Sequence, residues 1–108
     1  MTTDFSAFIA NSIKSHPAEA TIVRKVFKAL KEAGTPITSV WDGEENTKVG
    51  SLQEVLELVF NLDEAFLRTS DGSWVRIILG NEWDALCDYT VDLEDALASV
   101  NAYIATKG

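Results

Sequence analysis

The chain has 108 residues, 46% hydrophobic and 24% charged, with nine basic residues against seventeen acidic ones and a net charge of −8. That length holds one modest core and is short for two, so a single domain over residues 1–108 is expected. The composition excludes a disordered or fibrous chain, and the lone cysteine, Cys87, excludes an internal disulfide and a cysteine-rich zinc site.

Charge is unevenly placed. Residues 1–41 hold five basic residues against three acidic ones, a balance of +2, whereas residues 42–108 hold four against fourteen, a balance of −10. A field of that sign disfavours direct contact with nucleic acid and favours a basic partner. Its plainer reading is that surface acidity keeps a small domain in solution. No apolar run approaches the roughly 18 residues of a membrane span. The opening MTTDFSAFIANSIK lacks the basic region and apolar centre of a secretory signal. A cytoplasmic location, away from membranes, is therefore expected.

Phe5, Phe8, Ile9 and Ile13 recur at helical spacing and predict a short helix from Thr3 or Asp4 to about Lys14. Ser15-His16-Pro17 breaks it, because proline pushes the preceding residue out of helical backbone yet suits the first turn of a new helix. His16 thus reads as a junction residue. Over Pro17–Ala33, Ile22, Val23, Val26, Phe27, Leu30 and Ala33 form one apolar stripe, and Arg24, Lys25, Lys28 and Lys31 lie on the other face. Gly34 offers a left-handed C-terminal cap, and Pro36 prevents continuation. Four cations in an acidic protein read as a solvated face rather than a nucleic-acid site.

Ile37–Trp41 reads as a strand with Ile37, Ser39 and Trp41 on one side and Thr38 and Val40 on the other. Asp42-Gly43 turns it, and Lys48-Val49 forms a brief second extended piece. Asp42, Glu44 and Glu45 cluster three carboxylates, but without the alternating ligand spacing of a calcium loop they read as a solvated turn. Ser51-Leu52-Gln53-Glu54 is a capping box opening a helix whose apolar side is Leu52, Val55, Leu56, Val59 and Phe60.

Glu64–Leu79 then reads as a hairpin closed by Asp71-Gly72 in a two-residue type I′ turn. That turn would oppose Thr69 to Trp74, Leu67 to Arg76 and Phe66 to Ile77. Phe66, Val75, Ile77 and Leu79 would face the core, with Arg68 near the turn, and Ala65, Leu67, Thr69, Trp74, Arg76 and Ile78 would share the other face. Ala85–Tyr89 returns as a third strand of the meander, and Asp92-Leu93-Glu94-Asp95 starts a last helix buried through Leu93, Ala96, Leu97, Val100 and Ile104. The sum is an α+β domain: a mainly antiparallel sheet of about four strands with helices packed chiefly on one face. Such packing leaves the Trp74 and Arg76 face partly open.

No nucleophile-base pair, phosphate loop or metal-ligand spacing occurs, so no catalytic, metal or cofactor-binding residue is assigned and the chain does not read as an enzyme. Cys87 reads as a small buried hydrophobe on a strand, a catalytic thiol being the alternative. Asp84 and Asp88 stand four apart and would share a strand face without a base to serve. Two surfaces are candidates for binding. One is Leu67, Trp74 and Arg76 with Trp83, and with Trp41 near, since tryptophan and arginine are enriched where interfaces concentrate their energy. The other is the acidic set Glu82, Asp84, Asp88, Asp92, Glu94 and Asp95.

The stretch WVRIILGNEWDALCDYTVDLEDAL, residues 74–97, and more loosely GTPITSVWDGEE, residues 34–45, resembles small uncharacterised proteins of bacteriophages and other mobile elements. An apolar strand, a Gly-Asn turn, an Asp-Tyr-Thr strand end and an acidic helix start recur in them. The resemblance implies a phage or prophage origin and brings no reaction or cofactor. The expected function is a protein-binding module, namely an inhibitor, immunity protein or nucleic-acid mimic directed at a basic host or toxin protein. The alternative is an assembly accessory that associates with itself.

Overall fold

The computed structural model describes residues 14–107 apart from Asp63 and Asn81. The helix expected over residues 3–14 lies outside the described residues except for Lys14, which is helical. Helix α1 runs Pro17–Glu32, and proline in its first turn sacrifices no helical hydrogen bond. Ile22, Val23, Val26 and Leu30 are buried along one side, while Arg24, Lys28 and Lys31 are exposed on the other. Gly34, at φ +82°, ends the helix. Its N–H donates to Lys31 O at 3.2 Å and that of Thr35 donates to Leu30 O at 3.0 Å, a closure that needs left-handed backbone between them.

Strands β1, Ile37–Trp41, and β2, Asn46–Lys48, form a hairpin turned by Asp42. Asp42 Oδ1 accepts from the N–H groups of Glu45 and Glu44 at 2.7 and 2.8 Å. Both bonds favour the ionised form and hold its carboxyl below the usual aspartate range. Helix α2, Leu52–Val59, opens on a capping box in which Ser51 Oγ accepts from Glu54 N–H at 3.3 Å. Glu54 Oε1 reaches one residue further back than expected, to Gly50 N–H at 2.8 Å.

Strands β3, Glu64–Thr69, β4, Trp74–Ile78, and β5, Leu86–Tyr89, follow as a meander. A single 3-10 turn at Glu82–Asp84 joins the last two, and helix α3, Ala98–Lys107, closes the described chain. All pairs are antiparallel, in the order β2-β1-β3-β4-β5, so the brief extended piece after the Asp42 turn becomes a fifth strand. Buried side chains of α1 and α2, with Leu97 just before α3 and Val100 within it, join Ile37, Val40, Ala65, Leu67, Val75 and Ile77 in one core. The helices therefore cover one face of the sheet, as an α+β reading requires.

The β3-β4 hairpin differs from expectation by one residue. Its partners are Arg68 with Trp74, Leu67 with Val75, Phe66 with Arg76 and Ala65 with Ile77. The loop is thus three residues, Ser70-Asp71-Gly72, with Gly72 N–H donating to Thr69 O at 3.1 Å and only Gly72 left-handed, at φ +88°. This is a type I turn completed by a left-handed glycine, the other common way to close a hairpin. Three hydrogen bonds select it. The Asp71 carboxylate accepts from the Thr69 hydroxyl and from Ser73 N–H, and Thr69 N–H donates to Ser73 O at 2.9 Å. One residue of slip exchanges faces on β3, so Leu67 lies in the core at 0% exposure and Phe66 and Arg68 lie outside.

Two further departures have local causes. The β1-β3 register shifts between Ile37 and Ser39, a bulge that turns both Ile37 and Val40 into the core instead of alternating them. The last α-helix starts at Ala98, because Val91–Leu93 and the residues after it form tight turns that already bury Leu93 and Leu97. Thr90 caps no helix with its side chain. Its Oγ1 accepts from Trp74 N–H at 2.9 Å and fastens the end of β5 to β4.

Candidate functional site

The sheet face opposite the helices is built from paired strand positions, which share a side of the sheet. One row across the strands runs Lys48, Ser39, Arg68, Trp74; the next runs Asn46, Trp41, Phe66, Arg76, Asp88; Glu64 and Ile78 follow. Phe66 sits at the middle, on the central strand. Its ring centroid is 5.3 Å from that of Trp41, tilted by 56°, and 5.7 Å from that of Trp74, nearly edge-on at 68°. Offset and edge-on contacts place the positive rim of one ring on the negative face of the next. All three rings are only partly buried. With Arg68 they line a shallow recess of about 200 Å³.

The charges around this row are ordered. The Arg76 guanidinium lies 6.0 Å from the Phe66 centroid and is paired with Glu64 across the hairpin. Arg68 and Lys48 are exposed at the end nearest the hairpin loop. Glu64 and the Asp42–Glu45 turn stand at the opposite end, with Asp88 at the side. The strands hold the rings in place through backbone pairing on both sides, so little freedom remains to be lost when the face is covered.

Of the residues expected to form an interaction surface, Trp74 and Arg76 are brought together here, and Trp41 joins them. Leu67 is not available, being fully buried through the hairpin register. Trp83 is elsewhere, in the 3-10 turn on the helix side. Its ring meets that of Tyr103 at 5.9 Å, with Lys107 Nζ 5.9 Å from the Trp83 centroid. Phe66 and Arg68, assigned from sequence to the core face, are the residues that reasoning missed, and an aspartate able to bond Thr69 and Ser73 was the available signal.

The acidic candidates are all exposed but occupy three segments. Glu82 and Asp84 lie in the 3-10 turn, Asp88 lies on β5 opposite Arg76, and Asp92, Glu94 and Asp95 lie between β5 and α3. Asp84 and Asp88 therefore do not share a strand. Cys87 is exposed rather than buried, beside the β4-β5 irregularity that interrupts its pairing. Among the described residues, no three His, Cys, Asp or Glu side chains gather where a metal ion could sit.

One acid that the sequence did not mark is structural. Glu19 is 2% exposed, and its Oε2 accepts from Gly80 N–H at 3.1 Å and Glu82 N–H at 3.2 Å, fixing the turn before β5 to the first turn of α1. No helix of the described residues is long and apolar enough to cross a membrane.

Fold and face together define a class: a one-sheet α+β domain with helices on one side and an aromatic row on the other. Compared with family models, with curated proteins and with solved structures, the chain matches none.

Proposed function

We propose that this chain is a small protein-binding module of the bacteriophage or prophage kind that residues 74–97 resemble, and that it docks a basic protein on its open sheet face. In that role it acts as an inhibitor, an immunity protein or a nucleic-acid mimic. The reading is carried by one observation: Phe66, packed against both Trp41 and Trp74, forms with them a partly exposed aromatic row on rigid strands, with carboxylates at one end and one side of the row. Aromatic anchors supply contact area at low entropic cost. The carboxylates of the Asp42–Glu45 turn and Asp88, within a segment of net −10, steer a cationic partner and repel nucleic acid.

The test is capture from a nuclease-treated bacterial lysate on the wild-type chain and on Trp74→Ala. A basic protein held at low salt, released at high salt and retained about tenfold less by the variant is the expected result. Retention that ignores both salt and the substitution, or none, overturns the reading. Trp74 lies outside the buried core, so the variant should fold, and its circular dichroism verifies that.

A further inference from the structure

The order of charges along the open face points to a second occupant. We infer that, in the absence of its partner, the face is covered by the same face of a second copy, in a weak two-fold pair. This rests on the reading of the open face as a docking surface and adds how that surface is protected when empty. Place the two-fold axis in the plane of contact, across the strands, at the level of Phe66 and Arg76. Each strand then lies antiparallel over its counterpart, and the two ends of the face exchange places.

The exchange brings opposite charges together. Arg68 comes over the second copy's Glu64, Lys48 comes over its Glu44-Glu45 turn, and Trp74 comes over its Ile78, while on the axis Phe66 meets Phe66, Asp88 meets Asp88, and Arg76, already paired with its own Glu64, meets Arg76. Among the described residues, neither Arg68 nor Lys48 has an ion pair within its own chain. An axis along the strands instead stacks Arg68 on Arg68 and Glu64 on Glu64, which repel. The opposite-charge contacts at both ends outweigh the two like pairs on the first axis, whereas the second has like pairs on β3 with no opposite ones to offset them, so the charges favour the first of the two orientations open to face-to-face sheets. Aligned sheets pack about 10 Å apart with a modest rotation, so the strand twist does not prevent contact.

Size sets the strength. Five strands about 4.8 Å apart and five residues long give a face of roughly 24 by 17 Å, or about 400 Å² per copy. A standard stable interface takes roughly 800 Å² per partner. The pair must therefore dissociate on dilution, and a basic protein competes for the same rings.

Sedimentation velocity from low micromolar to near-millimolar concentration tests this on the whole chain. Wild type should pass from monomer to dimer across that range. Arg68→Glu and Glu64→Arg should each weaken association about tenfold or more. Mixed in equal amounts, the two variants should pair again, because every crossed contact in the mixed dimer is between opposite charges. Thermal melts verify that both variants fold. A wild-type monomer throughout, a dimer indifferent to Arg68→Glu, or no rescue on mixing overturns the pair. If the chain is monomeric while Trp74-dependent capture of a basic protein persists, only this inference falls; a rescued dimer without captured partner removes only the proposed function.

Discussion

Asp71 shows how one side chain decides a register. Its carboxylate accepts from the Thr69 hydroxyl and from Ser73 N–H, and these bonds, the hydroxyl's first, lower its pKa from 3.8 to about 2. The folded value lies below the unfolded one, so the stabilisation is complete above the unfolded value and is lost as pH falls through the folded value. Acid melts should therefore show a loss of stability between about pH 4 and pH 2 to which Asp71 contributes. Asp71→Asn should be less stable than wild type at neutral pH and show a flatter profile in that window, measured by thermal denaturation. An equally steep profile in the variant would assign the acid transition to other groups.

At the level of elements, the two sides of β3 provide a direct check on the hairpin. Leu67→Ala empties a fully buried position and should cost about 2–5 kcal/mol. Arg76→Ala, on the open face with a 38% exposed side chain, should cost less than about 1 kcal/mol. Urea denaturation of both variants decides it, and the reverse order would restore the two-residue turn. Helix α1 was legible because its apolar stripe, Pro17 and Gly34 all agree, and α2 because Ser51 and Glu54 form a cap. Strand identities were legible from composition. Their faces were not, since Asp71-Gly72 is compatible with two loop lengths and the β1 bulge leaves no mark in the pattern ITSVW. The same slip governs the candidate site: Trp74 and Arg76 were found, whereas Phe66 was placed inside. Trp83 was grouped with them by sequence proximity, although the 3-10 turn sends it to Tyr103.

For the whole molecule, the three tryptophans report on different places. Trp41 and Trp74 stand on the open face, and Trp83 packs on the helix side. Pairing of copies or capture of a basic protein should dry the first two rings and shift fluorescence to shorter wavelength. The shift should persist in Trp83→Phe and disappear in the Trp41→Phe, Trp74→Phe double variant. A shift that follows Trp83 instead would place the contact on the helix side. Charge acts at the same scale. With a net charge of −8, copies repel at long range, so added salt should strengthen pairing up to the point where the local Arg68 and Lys48 contacts are themselves screened.

The ends of the sheet bear on what such pairing can become. Strand β2 is three polar residues long, and β5 is four residues with an irregular register. Short, interrupted borders of this kind offer a poor template for another strand. Growth by adding sheets side by side is thereby closed off, and a two-fold contact uses up the face that creates it. Concentrating this protein should therefore populate a finite particle and leave the solution free of fibres.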